Sequence, residues 1–306
     1  MKFLKGFLGF LIFLIVFGLL AYYWLLPFNS LDFIPNGGNS NFSINSSVPM
    51  DMLFYPNLRY ASPDISYNID MSLCTLQKQD DMVRAFDTIQ NLTILKFSQT
   101  ESNPDIQITC DSKVVVDANY FVAGEGGPSN IIKSGDLNVI EKGEILLLRD
   151  SNCQTPNVAI HELLHALGFN HSINQNNIMY PVTTCRQTIG QDIPSLINTL
   201  YSVPSYSDLS FENVSATVHG RYLDTNFTIV NHGLIKSGDS EMIISADGNE
   251  ISRETIQPLD VGTGIIFISQ NTLLKNTNIA ELEYTLQSDF SEISTANNQL
   301  VLKIKN

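Results

Sequence analysis

Hydrophobic and polar positions divide the chain into four stretches. Residues 6–26 are 21 consecutive apolar or aromatic residues, long enough to cross a bilayer core as a helix. Residues 28–50 show the opposite pattern. They are rich in Asn, Ser, Gly and Pro, which is linker composition with no face to bury. Between residues 51 and 204 two periods mix. Residues 65–69, 94–97, 106–109 and 144–148 read as strands, whereas 75–92 places Leu76, Met82, Val83, Phe86 and Ile89 at helical spacing. Residues 157–167 and 192–201 read as two further helices. After Pro204 come short alternating runs at 225–230, 242–246, 264–268, 280–286 and 299–304. Turn signals such as Asn231-His232-Gly233 and Asp247-Gly248-Asn249 break them. The pattern predicts a mixed α+β domain over 51–204 and an all-β sandwich over 205–306.

Charge orients the first stretch. Lys2 and Lys5 precede the apolar run and the next charge is Asp32, so the N-terminus is expected in the cytoplasm and the remainder outside. Tyr22, Tyr23 and Trp24 fall where an aromatic belt would sit. Residues 1–27 are therefore read as a membrane anchor of one helix. The alternative is a cleaved signal sequence, but its cut site needs small residues and the run closes on Trp24-Leu25-Leu26-Pro27. Either reading exports the chain after residue 30, membrane-anchored in the first case and secreted in the second.

Composition narrows the partners. Seventeen Lys+Arg against 31 Asp+Glu give a formal net charge of -14, which excludes a nucleic-acid partner. Four cysteines, an even number, suit two disulfides in an oxidising compartment, and they allow three pairings.

The informative chemistry is at residues 161–171, HELLHALGFNH. His161 and His165 are four apart on a predicted helix, so both imidazoles leave one face, a spacing that suits two ligands of one Zn²⁺. Glu162 follows the first ligand and can reach an attacking water without binding metal. Gly168 can adopt positive φ, ending the helix and turning the chain so that His171 returns as a third ligand. Three of the chain's five histidines fall within these eleven residues. A lone histidine is usually a satisfied surface or core group; this spacing is hard to reach by chance.

HELLHALGFNH resembles the extended zinc signature of the metzincin metalloproteases. Asn177-Ile178-Met179-Tyr180-Pro181 is similar to their methionine turn, and Ser172 after the third histidine is similar to the matrixin branch. Weaker likeness covers residues 60–201. The resemblance implies a twisted mixed sheet with an active-site helix, and a zinc endopeptidase acting on protein or peptide. In it a zinc-activated water attacks the peptide bond with Glu162 as general base, and Met179 forms a floor under the histidines. It also implies that an edge strand near residues 137–141 pairs with an extended substrate. The likeness has limits. No histidine precedes His161, so the structural zinc of matrixins cannot exist in the same form, and no cysteine-switch motif is present. Acidic loops at 111–117 and 141–150 could hold structural Ca²⁺, but solvated carboxylates are the plainer reading.

A Cys153–Cys185 bridge would tie together the segments framing the zinc helix. Cys74 and Cys110 would then meet if strands 65–70 and 105–109 run parallel as neighbours, as they do in the resembling fold. Residues 226–233 and 291–300 are similar to the adhesion-related, immunoglobulin-like modules of exported microbial proteins. Such a module is a spacer or a binder of a surface polymer or protein. The competing function is therefore an adhesin-type binding protein whose peptidase domain is inactive or weakly active.

Overall fold

The computed structural model describes residues 2–25, 31–35, 52–117, 120–150, 153–275 and 279–304. The chain opens with α1 (Lys2–Leu25) and β1 (Leu31–Pro35). In α1 the described side chains, Phe7 and residues 9–20, are exposed. Among the described residues no helix is long and apolar enough to cross a membrane.

The first domain contains β2 (Leu58–Tyr60), β3 (Asp64–Ile69), α2 (Leu76–Leu92), β4 (Lys96–Gln99) and β5 (Ile106–Cys110). A short pair follows, β6 (Val116–Asp117) and β7 (Tyr120–Phe121), then β8 (Gly124–Ser134), β9 (Leu137–Leu147), α3 (Asn157–Ala166) and α4 (Asp192–Leu200). Thr75 caps α2 by accepting from the Lys78 N–H, and its buried stripe is Met82, Ala85, Phe86 and Ile89. Phe86 stacks on Tyr67 of β3, ring centroids 4.0 Å apart. As the crossover between β3 and its parallel neighbour β4, α2 lies on the face of the sheet that α3 also covers.

The sheet runs β2-β9-β5-β3-β4 with β8 added to β9. All its pairs are parallel except β8 with β9. Residues 137–141, expected at an edge, are interior. Val139 pairs with Arg59 of β2 on one side and Ile132 of β8 on the other. The edge is β8. Its Gly124-Glu125-Gly126-Gly127-Pro128 opening hid it, because glycine and proline read as loop.

The second domain comprises β10 (Leu209–His219), β11 (Tyr222–Asn231), β12 (Ser240–Ala246), β13 (Asn249–Ile256), β14 (Gly264–Leu273), β15 (Glu281–Ser288) and β16 (Gln299–Ile304). They form one antiparallel path, β13-β12-β15-β16-β1-β10-β11-β14. Ring contacts across non-neighbouring strands, Phe211–Tyr284 at 6.2 Å and Phe227–Tyr284 at 5.4 Å, close that path over one core.

The linker expected over 28–50 is therefore wrong at residues 31–35. β1 pairs with β16 and β10, joining the two halves of the C-terminal domain. Alternation explains it: Phe33 is buried in the core while Asp32 turns out to accept from the Thr217 hydroxyl at 3.0 Å. Five residues inside a polar stretch are too few for composition to reveal. A third, smaller cluster joins the domains, where Leu137 and Val139 of β9 and Val203 pack on Leu234.

Candidate metal centre

The metal centre is built on α3 and the chain that leaves it. Gly168 has φ +98, donates to the His165 carbonyl at 2.9 Å, and Phe169 donates to the Leu164 carbonyl at 3.0 Å. Those two bonds close α3 and reverse the chain. A β-carbon on Gly168 would also stand 2.7 Å from Leu58, so space as well as dihedral requires glycine here. The reversed chain is then gripped by residues 52–54. Phe54 donates to the Gly168 carbonyl at 2.9 Å and Asn170 to the Met52 carbonyl at 2.8 Å.

His171 is thereby carried to the two helical histidines. The Nε2 atoms of His161 and His165 are 3.0 Å apart, and those of His165 and His171 are 3.1 Å apart. His161 Nδ1 lies 2.7 Å from the Ile178 carbonyl and His165 Nδ1 lies 2.7 Å from the Phe169 carbonyl. A carbonyl only accepts, so each Nδ1 carries the hydrogen and each Nε2 presents a lone pair. Lone pairs facing each other at 3.0 Å repel unless a cation lies between them. Tetrahedral zinc with Zn–N of about 2.0–2.1 Å requires nitrogens about 3.3 Å apart, close to the spacing found. Three neutral nitrogens, two of them on carbonyl-fixed rings, fit zinc. Burial lowers all three histidines, His165 to about 4 with neighbouring His161 adding to the effect, so each is neutral at pH 7.

The methionine turn supports two of the rings. The Ile178 carbonyl holds His161, and the Met179 carbonyl accepts from the Ser172 N–H at 2.8 Å, just past His171. Asn177 shapes the turn by accepting from the Met179 N–H at 2.8 Å. Met179 is fully buried.

Glu162 is buried beside the ligands. Burial, with the Glu125 carboxylate adding to it, pushes its pKa up to about 8. Its cover is β8: a β-carbon on Gly124 would meet Glu162 Cγ at 2.8 Å, and one on Gly126 would meet the Glu162 carbonyl oxygen at 2.3 Å. Only glycine lets the strand lie this close to α3.

Both disulfides expected are formed, Cys74–Cys110 and Cys153–Cys185. The first joins the neighbourhood of parallel strands β3 and β5; the second joins the segments before α3 and after the methionine turn. Among the described residues no other group of His, Cys, Asp and Glu converges as a metal site, so the acidic loops considered for calcium have no such support. His232, one of the two remaining histidines, is half-buried at 2.8 Å from Glu212.

Sequence reading missed Phe54, whose ring stacks on His165 with centroids 5.7 Å apart, and the two glycines over Glu162. The apolar triplet Met52-Leu53-Phe54 after a polar stretch was the available signal for the first. Nothing local marks the glycines, since their reason lies on another element.

No curated protein matches the chain. Residues 59–202 match the family model described as Matrixin, Peptidase_M10, and since the three-histidine group lies inside that segment, this part of the chain is matrixin-like and supports a metallopeptidase.

Proposed function

We propose that the chain is a zinc-dependent endopeptidase. The observation that carries the reading is the convergence of the His161, His165 and His171 Nε2 atoms, with two rings locked by carbonyls, beside the buried Glu162. Zinc on these nitrogens would supply a Lewis acid that polarises the scissile carbonyl and offsets negative charge developing on its oxygen. Glu162 takes the proton of the attacking water and delivers it to the leaving amine. Burial makes the ionised carboxylate a stronger base than an exposed one, and a cation held on the neighbouring histidines would favour that ionised form. The extended substrate pairs with the free edge of β8, which runs over Glu162, rather than with residues 137–141.

We place the reaction outside the cytoplasm, with the apolar run of residues 6–26, whose side chains are described only in part, as the anchor. The two disulfides and the exposed apolar side chains of α1 support that placement. The C-terminal domain is read as an immunoglobulin-like module.

The test is zinc content and peptide-library cleavage by the full chain and its Glu162→Gln variant. Wild type should bind one zinc and cleave; the variant should keep the metal and lose turnover by about 10²–10⁴-fold. Equal cleavage by both removes Glu162 from the mechanism. Zinc binding without cleavage by wild type favours the adhesin-type reading.

A further inference from the structure

The β8–β9 hairpin spans the molecule. One end lies on α3 at Gly124 and Gly126, against Glu162. The other end enters the C-terminal domain. Ser134 is fully buried there and its hydroxyl donates to the Gly233 carbonyl at 2.7 Å. Gly135 turns the hairpin at φ +56, with its β-carbon position 3.1 Å from His232 Cβ. Gly262, which donates to the Asn231 carbonyl at 2.9 Å, touches the backbone of β8: a β-carbon there would stand 2.4 Å from the Lys133 carbonyl oxygen. At the start of β9, Leu137 and Val139 are buried against Leu234.

Between these ends β8 is weak. It pairs with β9 alone, and its register shifts between Pro128 and Asn130 and again between Asn130 and Ile131. Its glycines add backbone freedom that folding must remove. A strand that slips by one residue turns every side chain and every free N–H to the wrong side. Its register is set at the two-residue turn Gly135-Asp136, and the described contacts that seat this turn come from the C-terminal domain.

We propose that the C-terminal domain positions the substrate edge. By seating the hairpin tip through Ser134 and Gly262, it fixes β8 in the register needed for an extended peptide to pair along it. The proposal rests on the peptidase reading, and it gives the domain a role in recognition rather than in spacing alone. Ser134 and Gly262 are positioning residues; neither touches the reacting atoms.

The experiment compares the full chain with its Gly262→Ala and Ser134→Ala variants. Amide hydrogen exchange over residues 124–134 should quicken by about tenfold in each, with α3 unchanged, as expected when one buried contact is lost. KM for peptides long enough to run along β8 should rise about tenfold while kcat stays within about twofold. Short peptides that reach only the Gly124 end should keep their KM. Wild-type exchange over 124–134 in both variants overturns the proposal. So does a loss of kcat, or a KM rise shared equally by short and long peptides, since either marks general damage. Should wild type cleave no peptide, the peptidase reading falls, and the exchange result alone decides whether the C-terminal domain holds the strand.

Discussion

Arg59 lays its guanidinium over the ring of Tyr201, 4.1 Å from the centroid, in a fully buried position. No described carboxylate pairs with it. Instead it donates to the carbonyls of Tyr60 at 2.9 Å, Ala61 at 3.1 Å, Leu200 at 2.7 Å and Val203 at 3.0 Å. Burial lowers its pKa to about 10, so it stays charged at neutral pH. The Leu200 carbonyl belongs to the C-terminal turn of α4, whose dipole favours a cation. One side chain thus ties β2 to the point where the chain leaves the first domain. Arg59→Met should leave these carbonyls unpaired and destabilise the fold by about 3 kcal/mol, and Arg59→Lys, which cannot fork to four acceptors, should recover only part of it. Urea unfolding of the three proteins measures both differences.

Gly126 makes a second prediction. Since its β-carbon position is 2.3 Å from the Glu162 carbonyl oxygen, Gly126→Ala must lift β8 from α3. Overpacking of this kind destabilises by about 1–3 kcal/mol. A parallel drop in kcat/KM is expected, because Glu162 loses its cover. Wild-type thermal unfolding with wild-type cleavage would show that the strand and helix separate freely.

The metal-free protein should be most stable near pH 6.5, because His161 and His171 are lowered by burial alongside His165 and together they outweigh Glu162 below that pH. His165, lowered from 6.5 to about 4, stays neutral in the fold while the unfolded chain binds a proton, so stability rises with pH across that window. Glu162, raised from 4.5 to about 8, keeps its proton in the fold after the unfolded chain has lost it, so it lowers stability as pH rises from 4.5 to 8. Above pH 6.5 the second effect acts without the first. Unfolding of chelator-treated protein at pH 5, 6.5 and 8 checks the maximum. Glu162→Gln should flatten the fall between pH 6.5 and 8 and steepen the rise below 6.5, where Glu162 opposes the histidines.

Removing Cys153–Cys185 should weaken zinc binding as well as the fold. The bridge closes 32 residues that include all three histidines and the methionine turn. Chain entropy alone assigns it roughly 3–4 kcal/mol. Cys153→Ala with Cys185→Ala should therefore unfold at lower urea and lose zinc to a weaker chelator, whereas the pair Cys74 and Cys110 should affect stability with less effect on metal.

β1 predicts an asymmetry between truncations. A chain beginning at residue 45 lacks β1, leaving one edge each of β16 and β10 without a partner and Phe33's site in the core empty. Burial of that ring alone contributes about 2 kcal/mol. Such a chain should show an early unfolding transition of the C-terminal domain that a chain beginning at residue 28 lacks, read by calorimetry.

The three-histidine cluster was legible in the sequence because its geometry is local. His161 and His165 share a helix face, Gly168 ends that helix, and the turn it makes returns His171 within eleven residues. The helix periods and the alternation of β11, β12, β15 and β16 were legible for a similar reason: periodicity along a segment reports which of its faces is buried. It carries no record of what lies beside the segment. Tertiary structure alone decided that β1 belongs to the C-terminal domain, that β8 rather than residues 137–141 is the edge, and that Arg59 is buried among carbonyls. In each case the deciding partner is distant in sequence. An edge strand, a glycine against a helix and a cation among backbone dipoles are defined by what approaches them, and that approach exists only once the chain has folded.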